Sequence, residues 1–90
     1  MLADHKSVKR KLNIIKGQIE GLINMVDEDR YCIEISDQVL AAIGLLKSVN
    51  KEVINAHLEG CVVKALNSSN EDEIKAKIDE ISTTLNKLLK

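Results

Sequence analysis

Apolar residues in the first third of the chain recur in alternating steps of four and three: Val8, Leu12, Ile15, Ile19, Leu22 and Val26. Such steps line one stripe of an α-helix and repeat every seven residues, so the pattern predicts a helix over residues 4–28. Asp4 and Ser7 are the candidate caps at its start. Gly17 and Gly21 lie four apart on one face. Glycine inside a helix costs about 0.5–1 kcal/mol against alanine, so the pair predicts a close helix approach. The acidic run Asp27-Glu28-Asp29 should end this helix and open the next, where negative charge is favoured.

From Arg30 to Leu66 nothing interrupts a helix. At about 1.5 Å per residue this element is roughly 50 Å long. Val39, Ile43, Leu46 and Ile54 form an apolar seam along it, and Asn50 is the polar exception that would set register. Asn67-Ser68-Ser69-Asn70 is the clearest loop, and Asn70 followed by Glu73 has the form of a capping box. Ile74, Ile78, Ile81, Leu85 and Leu88 then repeat the four-three stepping. The expected fold is all-α, three helices in the order short, long, short, within one domain over residues 1–90.

Composition sharpens this picture. The 90 residues include no Phe, Trp or Pro, four glycines and one aromatic, Tyr31, which argues against a β-sandwich or barrel. A chain of this size buries only about 60–65% of its unfolded surface, and the long helix outruns the core of one small domain, so it should extend along a second chain. No apolar run reaches the roughly 18 residues of a membrane span. The polar start MLADHKSVKRKLN lacks an export core, which predicts a cytoplasmic protein in which paired cysteines read as metal or redox chemistry.

The net charge of −1 excludes a uniformly basic nucleic-acid binder, but the charge is segregated. Residues 5–16 hold Lys6, Lys9, Arg10, Lys11 and Lys16 and no acid, while acids gather at 27–29 and 71–80. The basic segment is either a solvated helix face or a phosphate-contacting patch, which Lys47 and Lys51 would extend. The long helix is too long to serve as a compact helix-turn-helix recognition unit.

The candidate chemistry sits on the long helix. His57 and Cys61 are four apart and face the same way. Cys32 precedes them by 25 and 29 residues, within about 20° of whole turns on either side, so all three share one stripe. Cys32 nevertheless lies roughly 40 Å along the axis from the pair. Two identical helices packed antiparallel would bring Cys32 of one chain to His57 and Cys61 of the other, with two such sites by symmetry. Two thiolates and an imidazole suit Cu(I); Zn(II) would want a fourth ligand, from water or His5. Buried inert residues and a thiol redox sensor are the alternatives. No Ser/His/Asp set, phosphate loop or carboxylate pair suggests an enzyme.

Several segments together carry a resemblance: Lys11-Leu12, Ile15-Lys16-Gly17-Gln18-Ile19-Glu20-Gly21, Asp29-Arg30-Tyr31-Cys32-Ile33 and Ala56-His57-Leu58-Glu59-Gly60-Cys61-Val62. Over nearly its whole length the chain resembles the copper-sensitive operon repressor (CsoR-like) family of bacterial metal-sensing repressors. The resemblance implies a dimer of dimers whose apo form binds operator DNA and is released when Cu(I) binds across the dimer interface. It implies Cys32, His57 and Cys61 as the Cu(I) ligands, with Tyr31 matching a tyrosine that supports the site from outside. In the family an acid on the third helix partners that tyrosine. Here Lys77 stands near that place, so Glu73 or Glu80, one turn away, is the expected substitute. For DNA the resemblance points to Arg10, Lys11, Lys16 and Lys51, with Lys11 where relatives often carry Arg. Nickel- and cobalt-sensing relatives have His in place of Cys61, and persulfide-sensing relatives lack His57. The expected function is therefore a Cu(I)-responsive transcriptional repressor. The alternatives are a persulfide or thiol-redox repressor on the same scaffold and a copper-binding protein without a DNA role.

Overall fold

Asp4 sets the first helix. Its backbone is extended and its carboxylate accepts a hydrogen bond from the Lys6 amide at 3.2 Å, so of the two expected caps it is Asp4 that acts. In the computed structural model, which describes residues 1–88, three helices follow in order: α1 (His5–Asp27), α2 (Cys32–Asn67) and α3 (Glu71–Leu88). The last two residues of the expected 1–90 domain lie outside the described ones. α1 and α2 fall within two residues of the expected 4–28 and 30–66, and α3 begins directly after the expected cap Asn70.

The turn between α1 and α2 is closed by two backbone bonds. The Arg30 amide donates to the Met25 carbonyl at 3.0 Å and the Asp29 amide to the Val26 carbonyl at 3.0 Å. This is a Schellman motif, and it places Asp29 in the left-handed region with φ 54°. Arg30 then reaches across the turn to Glu34 at 3.0 Å and Glu28 at 3.5 Å. Glu34 is the main cause that holds the Arg30 guanidinium above its usual value.

The loop before α3 is built from side chains. Ser68 Oγ accepts from the Asn70 amide at 3.1 Å and donates to Glu73 at 2.9 Å. Asn70 Oδ1 accepts from the Asp72 amide at 2.9 Å. Asn70 is thus the cap, but Glu73 closes on Ser68 instead of returning to the Asn70 amide as a full capping box would.

The heptad stripe of α1 divides into two rows. Val8 and Ile15 are buried and meet Val49 of α2, with Leu45, Val53, Ala56 and the N-terminal Ala3 around them. The alternate positions Leu12, Ile19 and Val26 stay exposed. On α2 the seam residues Val39, Ile43 and Leu46 are likewise exposed, although Ile54 is partly covered. Gly17 and Gly21 face open space, so the close approach they predict does not occur within this chain.

Among the described residues α1 and α3 each pack on α2 and not on one another. The result is a slab 61 × 28 × 12 Å, one helix thick. Its accessible surface is 7010 Å². A compact folded chain of 10.0 kDa would expose about 5,200 Å², so about 1,800 Å² more is open here. No helix among the described residues is long and apolar enough to cross a membrane.

Candidate metal centre

One turn of α2 and one side chain of α3 make the densest chemical cluster. His57 and Cys61 follow each other on α2, and the Cys61 thiol sits 3.5 Å from His57 Nε2. The short loop 68–70 returns the chain so that Glu80 of α3 meets the same nitrogen, Oε1 to Nε2, at 2.5 Å. The three donor atoms lie within 4.8 Å of one another. Cys61 is buried, while the His57 and Glu80 side chains keep one open side, at 46% and 40% exposure. Lys77 Nζ approaches the second Glu80 oxygen at 3.4 Å. The hydrogen bond from His57, followed by that from Lys77, holds the Glu80 carboxyl below the usual carboxylate range.

Donor chemistry defines what such a cluster can hold. A thiolate, an imidazole and a carboxylate suit transition metals of soft to borderline character and offer little to Mg(II) or Ca(II). Cys32 is absent from the cluster: it is the first residue of α2 and exposed. At about 1.5 Å rise per residue it stands roughly 44 Å from Cys61 along α2. Tyr31, which precedes it, is 70% exposed and makes no side-chain cap bond.

Of the two acids expected to replace the family's helix-three acid, the structure brings Glu80 to the site and engages Glu73 elsewhere. Glu73 is bound to Ser68 and lines a groove of about 490 Å³ with Val63, Lys64, Ala76 and Lys77. Within the chain Glu80 partners His57, because Tyr31 is at the other end of α2.

The basic segment occupies the start of α1. Lys6, Lys9 and Arg10 border a shallow depression with Asn13 and Ile14, and Lys16 and Lys51 are exposed. The first turn of α1 holds no acid beyond the Asp4 cap, whose carboxylate already offsets the positive end of the helix dipole, so the positive charge here is that of the side chains. Lys11 differs from the other expected phosphate contacts. Its Nζ is 2.8 Å from Glu52 Oε2 and 3.4 Å from Ser48 Oγ on α2. Lys11, with a smaller contribution from Ser7, holds the Glu52 carboxyl below its usual value. Sequence reasoning missed Glu52. The available signal was its place three residues after the α1-facing Val49, as the sole acid between Asp37 and Glu59.

Comparison with known proteins gives this geometry its context. Residues 4–87 match the family model described as metal-sensitive transcriptional repressor. The chain is similar to the copper-sensing transcriptional repressor CsoR of Bacillus subtilis, 33% identical over 84 residues, 87% of this chain and 83% of that one. It is similar to the copper-sensing transcriptional repressor RicR of Mycobacterium tuberculosis, 35% identical over 57 residues, 63% of this chain and 59% of that one. Among solved structures it is similar to the nickel-responsive transcriptional regulator InrS, with a TM-score of 0.83 and 27% identity, covering 98% of this chain and 96% of that one.

Proposed function

The chain belongs to the metal-sensitive transcriptional repressor family, and from that premise we propose that its inducing metal is Cu(I), held by Cys32 of one protomer with His57 and Cys61 of another. The observation that carries this reading is the Cys61 Sγ to His57 Nε2 separation of 3.5 Å, a soft sulfur and a borderline imidazole converging on one turn. Both similar sensors named above as copper-sensing support the same metal. InrS, named for nickel, makes a divalent ion the competing choice.

Assembly follows from exposure. The seam of Val39, Ile43 and Leu46 and the outer row of α1 are open in the single chain. An excess of about 1,800 Å² is of the order that stable protein interfaces cover. Antiparallel pairing along α2 covers that seam and delivers Cys32 to the opposite end of the partner helix. A dimer or dimer of dimers repeats the α1 basic segment on one particle, and Arg10, Lys16 and Lys51, with Lys11, then contact operator phosphates additively. Induction requires that Cu(I) bind the DNA-incompetent arrangement more tightly than the DNA-binding one. The protein acts in the cytoplasm, where thiols remain reduced.

Anaerobic Cu(I) titration against a calibrated chelator tests the site. Wild type should take about one Cu(I) per protomer, as a three-donor site requires. Cys32→Ser and Cys61→Ser should each abolish tight uptake, and an equal mixture of the two variants should recover part of it, because mixed dimers rebuild one native site. Full uptake by Cys32→Ser alone would sink the cross-chain assignment. Operator binding that ignores saturating Cu(I) would sink the copper reading, and persulfides would be the next effector to try on the same cysteines.

A further inference from the structure

Glu80 is placed as more than a support for His57. Its Oε1 faces the same Nε2 that Cys61 Sγ approaches, and all three donors lie within 4.8 Å. We infer that Glu80 is a metal ligand in its own right, and that with Cys32 of a second copy it completes a four-donor site for a divalent cation of the Zn(II) or Co(II) kind. The fourth donor rests on the cross-chain placement of Cys32 proposed above.

Geometry favours this. Two ligands of a tetrahedral site with Zn–N near 2.05 Å and Zn–S near 2.3 Å stand about 3.5 Å apart. The Cys61 to His57 separation is 3.5 Å. The corresponding N to O separation is about 3.3 Å, so the carboxylate has to draw back from its hydrogen bond by about 0.8 Å. The His57 and Glu80 side chains are both partly open to solvent, which leaves room for that movement and a route for the ion. Coordination replaces one N–H···O hydrogen bond by two metal bonds.

Charge favours it as well. Two thiolates and a carboxylate carry three negative charges, and a divalent ion removes two of them. Lys77, at 3.4 Å from the other Glu80 oxygen, removes the third. With Cu(I) in the same four-donor set one negative charge is left uncompensated, and a partly buried site disfavours that. Cu(I) is content with the three softer donors, so Glu80 distinguishes the two classes of ion.

Co(II) is the probe, because four-coordinate Co(II) with thiolate ligands absorbs strongly in the visible. Full-length wild type and Glu80→Gln are titrated anaerobically with Co(II) and separately with Cu(I), and circular dichroism checks that the variant keeps its helices. Wild type is expected to show the four-coordinate spectrum. Glu80→Gln is expected to lose it and to bind Co(II) more than tenfold more weakly, since loss of a direct ligand should cost at least what loss of an outer partner costs, about tenfold or more. Its Cu(I) affinity should stay within about threefold of wild type, since the three softer donors are untouched and the amide oxygen can still accept a hydrogen bond from His57. An unchanged Co(II) spectrum and affinity in the variant would overturn the inference and leave Glu80 as a hydrogen-bond partner. Equal loss of Cu(I) and Co(II) would overturn it in favour of Glu80 positioning His57 for any metal. If wild type binds Cu(I) and not Co(II), this inference fails while the copper reading stands. If it binds neither, the metal reading of the site fails first.

Discussion

Lys11 of α1 and Glu52 of α2 meet at 2.8 Å, so a lysine expected at a DNA phosphate is held by a carboxylate of its own chain. The pair ties the basic helix to the stretch of α2 that leads into His57. The contact braces α1 on α2. On the proposal that Lys11 contacts operator phosphate, a phosphate would have to displace Glu52 first.

Glu52→Gln should strengthen binding to operator-length duplex DNA. The gain should be several-fold at low salt, and the slope of log affinity on log salt should steepen by about one for each protomer that touches DNA, the value for one further phosphate contact apiece. Fluorescence anisotropy across a salt series measures both. The same substitution in a Lys11→Ala background should change nothing, and a gain there would assign the effect to general charge.

The same pair predicts a pH dependence of stability. The Glu52 carboxyl is lowered from its ordinary value of 4.5, first by the Lys11 hydrogen bond. A depressed folded-state value means that the contribution is present above pH 4.5 and lost as pH falls through the lower value. The melting temperature should therefore decline as pH drops below 4.5, and Glu52→Gln should flatten that decline. Parallel melting curves for the two proteins would refute the assignment. The pair is partly solvent-exposed, so the effect is modest.

Leu46→Asp should prevent assembly. Leu46 is 45% exposed in the single chain and lies in the seam with Val39 and Ile43, so a carboxylate there would be buried unpaired on association. Sedimentation should show the variant as a monomer at concentrations where wild type is larger. Its melting temperature should fall and lose the concentration dependence that folding coupled to assembly gives wild type. A variant that sediments like wild type would place the interface elsewhere.

Asp29 carries the left-handed residue of the α1–α2 turn, with φ 54°. Asparagine tolerates that region as aspartate does, so Asp29→Asn should leave stability nearly unchanged. Asp29→Val should lower it by about 1–2 kcal/mol, the cost of left-handed backbone for a branched side chain. Urea denaturation at fixed protein concentration reads the difference.

Helix periodicity made the three elements legible in the sequence. Val8, Leu12 and Ile15 already imply α1, but not that Val8 and Ile15 turn inward while Leu12 stays open. That division depends on which face of α2 is available, a tertiary matter that spacing alone leaves open. The pairing of His57 with Cys61 was legible because both lie on one helix. Glu80 was named as a candidate, but its contact with His57 depends on the angle set by the Ser68–Asn70 loop, which no spacing rule supplies. Gly17 and Gly21 pointed to a helix approach that this chain does not make. The Lys11–Glu52 pair spans 41 residues of sequence, and its one signal, a lone acid on the α1-facing side of α2, does not say which base it meets.

The turn at Asp29 folds α1 back along α2 so completely that the chain's first residues reach the metal-bearing turn. Leu2 Cδ1 fills the space beside Gly60, only 2.5 Å from where a Cβ on that residue would lie. Ala3 is buried just beyond it. Anything joined ahead of Met1 therefore starts two residues from the Gly60 contact, on the same turn of α2 as His57 and Cys61. An oligohistidine purification tag at that end would bring free imidazoles within reach of that turn, where they would compete for the ion being measured. Affinity tags for metal titrations belong on the other terminus, or must be cleaved before the first titration.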